Sequence, residues 1–227
     1  LDANIPEVGY NQFRLTNIAI VGAGNYTDFN LNVTAGNLNY NENIIIPSFQ
    51  INGVMANDTA SLGIVTQSIN DVLGDASLNL KATALDNNLY VNILPSNITI
   101  KNDQWQLYSN EELILGKEIN IKNLVLESGA QKISVHTQPE NQNDLFAEIT
   151  ELDLESFSSY LNLTKPKYYG RLSGTVDFKD FLNYSIVEAS IHSVDKIRID
   201  NDTIGFINAG LQFNAQTQKL IIDNRTK

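Results

Sequence analysis

The sequence predicts an all-β protein, a long antiparallel up-and-down meander with one short helix. Three observations predict it. Apolar and polar residues alternate along most of the chain, the period of a strand with one buried face. Turn residues, chiefly Asn, Asp and Gly, interrupt that alternation at short intervals. A single segment repeats at helical spacing instead.

The clearest run spans Lys167 to Lys227. Arg171 to Lys179 alternates Leu172, Gly174, Val176 and Phe178 with polar residues. Ala189 and Ile191, Ile197 and Ile199, Ile204 and Phe206, and then Ala209, Leu211 and Phe213 repeat the pattern between turn residues. This stretch reads as four or five consecutive strands with no helix between them.

The rest of the chain continues in the same manner. Leu1 to Gln12 lacks periodicity and reads as an entry arm or loop. Strands follow from Phe13 through Leu15, Ile18 and Ile20, ending at a Gly22–Asn25 corner, and over Phe29 to Val33, which continues through Asn37–Tyr40 after a bend at Gly36. Asn41–Asn43 reads as a turn, Ile44 and Ile46 lead into Pro47 as a strand edge or bulge, and Gly53–Asp58 reads as a loop before Leu62 and Ile64. Ser68 to Gly74 has room for one helical turn. Beyond it come Leu78 and Leu80, a turn at Leu85-Asp86-Asn87-Asn88, the Leu89–Ile93 strand and a break at Pro95-Ser96-Asn97. Ile98 and Ile100, a Lys101-Asn102-Asp103 turn, Trp105 and Leu107, and Leu113 and Leu115 before a Gly116-Lys117 corner extend the series. The odd spacing from Ile119 and Ile121 to Leu124 and Leu126 predicts a β-bulge near Lys122 and Asn123. Ser128-Gly129 marks a tight hairpin, Ile133 and Val135 follow it, Pro139 to Asp144 loops out, and Leu145, Ala147 and Ile149 return. The helix is expected over Leu154 to Leu163, where Leu154, Phe157, Tyr160 and Leu161 share a face and Asp153 or Ser156 can cap the first turn.

A meander of about 15 strands spaced about 4.8 Å apart would extend roughly 70 Å if flat. It must therefore form two layers, close on itself, or curl into a trough. Nearly all predicted connections are short, which argues against Greek-key crossovers and favours either an up-and-down barrel or an open curled groove. An open groove exposes one large apolar face, and such a face calls for an apolar ligand.

Composition narrows the functions further. The net charge of −11, with 15 scattered basic residues, excludes a phosphate-binding surface built on clustered Lys and Arg, so nucleic acid is not an expected partner. The absence of cysteine removes disulfides, thiolate metal sites and cysteine nucleophiles. No apolar run approaches the roughly 20 residues of a membrane-spanning helix, so any export signal or anchor is expected outside this chain. The 227 residues, 42% of them apolar, are expected to form one architectural unit cut from something longer.

The motifs G-R-L-S-G-T-V-D-F and E-A-S-I-H-S-V-D-K-I-R-I-D-N-D-T-I-G-F-I-N-A-G-L-Q-F-N resemble the repeated strand-and-glycine pattern of TamB-like proteins, the translocation and assembly module family related to AsmA. The upstream runs N-L-Y-V-N-I-L-P-S-N-I-T-I-K-N-D-Q-W-Q-L and E-I-N-I-K-N-L-V-L-E-S-G-A-Q-K-I-S-V are similar to the large TamB-like proteins of Bacteroidetes-type bacteria. The resemblance covers residues 69–227, and residues 1–68 only in texture. It implies a taco-like hydrophobic β-groove, part of a periplasmic protein whose anchor sits in the inner membrane. It further implies phospholipid transport or outer-membrane protein assembly with a barrel partner of the TamA or BamA kind, and neither an enzyme nor a cofactor.

On that reading the groove binds phospholipid acyl chains, and adjoining β segments of the same chain pair with its edge strands. Its lining is expected from Leu78, Leu80, Leu89, Val91, Ile93, Ile98, Ile100, Trp105, Leu107, Ile119, Ile121, Leu124, Leu126, Ile133, Val135, Leu145, Ala147, Ile149, Leu172, Val176, Phe178, Ile191, Ile204, Phe206, Leu211 and Phe213. The alternative is that the same residues pack on one another as the core of a closed β-sandwich or barrel, a binding module or adhesin segment with function on its loops. A glycan-active jelly roll ranks last, because no carboxylate pair, metal-spaced triplet, phosphate loop or nucleophile elbow stands out. His136 and His192 sit on polar alternations and read as surface residues, and the acidic run Glu148–Glu155 as a solvated face at a helix start. Asp58-Thr59-Ala60 and Asp202-Thr203-Ile204 resemble an O-glycosylation acceptor pattern of exported Bacteroidetes proteins, which would place glycans on Thr59 and Thr203. Gly170, Gly174 and Gly205 read as places where the sheet bends.

Overall fold

The computed structural model describes residues 1–227 apart from 26, 41–42, 47, 68–72, 101–102, 117–118, 161–164, 182–185, 215 and 225–227. Pro47, Lys101, Asn102, Lys117, Leu161 to Leu163 and most of the Ser68–Gly74 segment lie outside the described residues, as do Asn41 and Glu42 of one expected turn. The chain is all-β with one short helix, and its strands pair as an antiparallel meander. It divides into two compact units, Leu1–Glu112 and Leu113–Lys227.

The first unit contains β1 (Asp2–Tyr10), β2 (Phe13–Gly24), β3 (Asp28–Ala35), β4 (Leu38–Tyr40), β5 (Asn43–Ile46), β6 (Phe49–Ala56), β7 (Thr59–Thr66), β8 (Leu73–Leu85), β9 (Asn88–Ile100) and β10 (Asp103–Ser109). Strands β1, β2 and β3 pair in sequence, β3 pairs with β6, and β6 to β10 again pair in sequence. β4 lies on the first half of β2, with β5 beyond it. β3 and β4 therefore behave as one strand kinked at Gly36, whose N–H donates to the Thr16 carbonyl at 2.8 Å. The matching irregularity in β2 is Asn17, at φ 50°. The bend expected at Gly36 is thus present.

Several expected loops are strand. Leu1 to Gln12 is mostly β1, an edge strand whose weak alternation follows from being largely exposed. Gly53–Asp58 reduces to a two-residue turn at Asn57-Asp58, because Gly53 pairs with Leu62 and Leu31 inside the sheet. Pro95-Ser96-Asn97 is not a turn either. β9 runs through it with a register shift against β8, and the buried Ser96 hydroxyl accepts from Asn79 N–H at 2.9 Å while donating to the Leu94 carbonyl at 2.7 Å. One hydroxyl thus satisfies the backbone groups the bulge would orphan. The Asp86-Asn87 turn is as expected, with φ of 50° and 62°.

The second unit contains β11 (Leu113–Leu115), β12 (Ile119–Asn120), β13 (Leu124–Ser128), β14 (Gln131–Gln138), β15 (Asn141–Asp153), α1 (Leu154–Tyr160), β16 (Tyr168–Tyr169), β17 (Arg171–Lys179), β18 (Ile186–Ser193), β19 (Ile197–Ile199), β20 (Asp202–Gly205), β21 (Asn208–Asn214) and β22 (Lys219–Asn224). The main sheet runs β13, β14, β15, β17, β18, β21, β22. The bulge expected near Lys122 and Asn123 is instead a break between β12 and β13. Thr137 spans it, its N–H donating to the Ile121 carbonyl at 2.7 Å and its hydroxyl accepting from Ile121 N–H at 3.1 Å. The Pro139–Asp144 loop contracts to a turn at Pro139-Glu140. Asp153 does cap α1, its carboxylate accepting from Ser156 N–H at 2.9 Å.

The largest departure lies in the closing run. β19 and β20 leave the main sheet and join β16 in a separate three-stranded sheet, so that β18 pairs directly with β21. Arg171 holds the exit: its Nε and Nη2 donate to Asp195 at 2.6 and 3.0 Å, and its Nη1 reaches Glu151. Gly170 adopts φ +113°, and a Cβ there would lie 2.8 Å from Ile197 Cδ1, so the buried Ile197 depends on a glycine at that bend. Strand alternation alone does not distinguish pairing with the main sheet from pairing with a local hairpin.

Among the described residues β1 pairs only with β2, and β22 only with β21, so neither meander closes into a barrel. The protein exposes 14421 Å². Two separate compact bodies of half its 25.2 kDa mass would together expose about 12,400 Å². Consistent with that excess, most apolar strand residues stay partly solvated rather than fully buried.

Candidate apolar binding face

Register and pleat together assign the sequence-selected residues to faces. In the first unit Leu62, Leu80 and Ile93 are cross-strand neighbours, as are Ile64 and Leu78, Ala82 and Val91, and Ala84 and Leu89. Beyond the β9 bulge Ile98 sits between Ala76 and Trp105, Leu107 opposite Ser96, and Ile100 opposite Leu73 and Asp103. Opposed residues share a face, so all nine expected lining positions of this unit project to one side. Val33, Ile51 and Ile20, strand residues outside the expected lining, extend the same face through β6, β3 and β2.

The reverse face of that unit is mostly polar and carries Lys81. Asn32 donates to Asn52 at 2.6 Å and Gln50 to Asn52 at 3.2 Å, Ser77 lies opposite Asn97, and Ser61 lies opposite Lys81. Val21, Val54, Val65 and Leu94 interrupt this polar face, each 42–53% exposed.

The second unit repeats the arrangement. Leu126, Ile133, Ile149 and Gly174 form one cross-strand row, and Leu124, Val135, Ala147, Val176, Ala189, Leu211 and Ile222 the next. Leu145, Phe178, Val187, Phe213 and Leu220 make a third, and Leu172 follows after the β15 irregularity at Glu151. Ile191 completes the first row beside Gly174. Ile119 and Ile121 are half-buried on and beside β12, which Thr137 ties to β14. Ile204 and Phe206 are not brought to this face: both are 55% exposed, on and just after β20 of the small sheet.

The reverse face of the second unit is charged. Lys179 donates to Glu188 at 2.6 Å, and Glu188 also accepts from Gln212 at 2.8 Å. The Lys179 hydrogen bond, then that from Gln212, holds the Glu188 carboxyl below its ordinary range. Its hydrogen bond to Arg171 similarly lowers Asp195. His136 is half-buried there against Phe146, ring centroids 5.1 Å apart, and His192 is exposed opposite Ser173. Val125 interrupts this polar side: it lies opposite Ser134 yet is 1% exposed. Its neighbours Leu124 and Leu126 carry the alternation, so periodicity gave no sign that Val125 is a core residue.

Trp105 is the single tryptophan and is 3% exposed, and among the described residues its indole N–H has no hydrogen-bond partner. A buried donor without an acceptor costs about 1–3 kcal/mol. Of the two threonines, Thr59 is half-buried with its hydroxyl 3.3 Å from that of Thr83, whereas Thr203 is exposed on β20. Among the described residues no three His, Asp or Glu side chains gather as a metal site, and no helix is long and apolar enough to cross a membrane. No protein-family model, curated protein or solved structure matches the chain.

Proposed function

We propose that the chain is a segment of a hydrophobic β-groove that holds the acyl chains of phospholipids or similar amphiphiles. The observation that carries this reading is the run of half-buried apolar side chains sharing one face of each meander, backed by a polar reverse face. A sheet that segregates its faces this way, yet leaves the dry side partly solvated, gains about 0.8 kcal/mol for each methylene laid along it. The Trp105 N–H, without a partner among the described residues, suits a carbonyl or carboxylate oxygen at one end of such a chain.

The resemblance to TamB-like proteins supports the same reading and supplies its setting: a periplasmic segment of an envelope-spanning protein, working with an outer-membrane barrel. The outer edge of β1, which among the described residues pairs only with β2, also suits pairing with an adjoining β segment. Native mass spectrometry of the gently purified protein tests the binding reading. Adducts of amphiphile mass are expected, and they should be lost in Leu80→Asp and Leu211→Asp variants whose circular dichroism is unchanged. Adduct-free protein, with added phospholipid equally unbound, would overturn it.

A further inference from the structure

β22 differs from β1, an edge strand of the first unit, in being undefended. Edge strands are usually protected by proline, charge or a bulge. β1 carries Asp2, Pro6 and Glu7. β22 has none of these across its centre: Leu220, Ile221 and Ile222 are 56%, 45% and 60% exposed, and its register with β21 is unbroken. It is also apolar on both faces. Leu220 and Ile222 continue the apolar rows through Phe213 and Leu211, whereas Ile221 projects to the charged side. There it lines a shallow cavity of about 150 Å³ with Ile186, Gln212, Asn214, Thr217 and Lys219. A strand apolar on both faces is characteristic of a sheet interior.

The sequence of β22 also specifies what fits beside it. Lys219-Leu220-Ile221-Ile222-Asp223 is self-complementary about Ile221. Laid antiparallel against itself, it sets Lys219 opposite Asp223 of a second copy, Leu220 opposite Ile222, and Ile221 opposite its own equivalent. Both charge pairs then fall on the charged face and both Leu–Ile pairs on the apolar face, because a two-fold axis normal to a sheet preserves its faces. We propose that β22 is a homodimerisation edge, pairing antiparallel with β22 of a second copy and joining the two apolar faces side by side. This inference does not rest on the lipid reading.

Sedimentation velocity of the full chain across a concentration series tests it. A monomer–dimer equilibrium is expected, with no larger species. Lys219→Asp sets two carboxylates against each other twice in the dimer and is expected to weaken it on the order of tenfold. Asp223→Lys should do the same. The combined Lys219→Asp, Asp223→Lys variant restores the complementarity with reversed sign and is expected to recover dimerisation, which no loss of folding could imitate. A monomer at every concentration would overturn the proposal. So would a double variant as weak as either single one, or assembly continuing past the dimer.

Discussion

Val125→Asp is expected to destabilise the Leu113–Lys227 unit by on the order of 4 kcal/mol, a large share of the roughly 5–15 kcal/mol that holds a domain folded. The reason is burial without polar compensation. Val125 is 1% exposed, and the residue opposite it on β14 is Ser134, which brings no positive charge. Val125→Ala removes only packing and should cost about 2 kcal/mol. An aspartate at Val54, which is 52% exposed on β6, should cost within about 1 kcal/mol. Urea unfolding followed by circular dichroism separates the three. Equal, small effects at 125 and 54 would show that Val125 is not a core residue.

Gly174→Ala is the second large effect, and it operates through the backbone. A Cβ on Gly174 would stand 2.2 Å from the Ser190 carbonyl oxygen and 2.9 Å from Ile191 Cα. Both are main-chain atoms of β18, so no side-chain rotation relieves the contact, and β17 and β18 must move apart where Gly174 pairs with Ile191. The expected cost is about 1–3 kcal/mol. Gly210 is the control within the same sheet: its nearest neighbours would be 3.9 Å away, so Gly210→Ala should be neutral or stabilising by up to about 1 kcal/mol. Similar midpoints for the two variants would contradict the close approach of β17 to β18.

The meander, the one-sided apolar pattern and the helix start at Asp153 were legible in the sequence because each is a local property of alternation or capping. Gly174 was expected to bend the sheet, whereas it lies inside the unbroken β17 and marks a close approach to the β18 backbone. What escaped was non-local. Val125 occupies a polar-phase position, and only the folded chain reveals that it is covered. Ile197, Ile199 and Ile204 alternate like their neighbours, yet the Arg171–Asp195 clamp and the bend at Gly170 divert them into the small sheet. Pro95 looked like a terminator, whereas the Ser96 hydroxyl lets β9 continue through it. β1 was hidden because a largely exposed edge strand has little apolar pattern to read.

The central claim is that the apolar face of each meander is a binding surface and not the inner wall of a closed core. Trp105, the only tryptophan, stands on that face beside Ile98 and reports on it directly. Titrating the protein with fatty acids brominated along the chain, and following tryptophan emission, is the most direct measurement. Saturable quenching is expected, reversed by unbrominated phospholipid and absent in Leu80→Asp. Emission that brominated chains leave unchanged, while the protein stays folded, would contradict the claim and return these side chains to a packed interior.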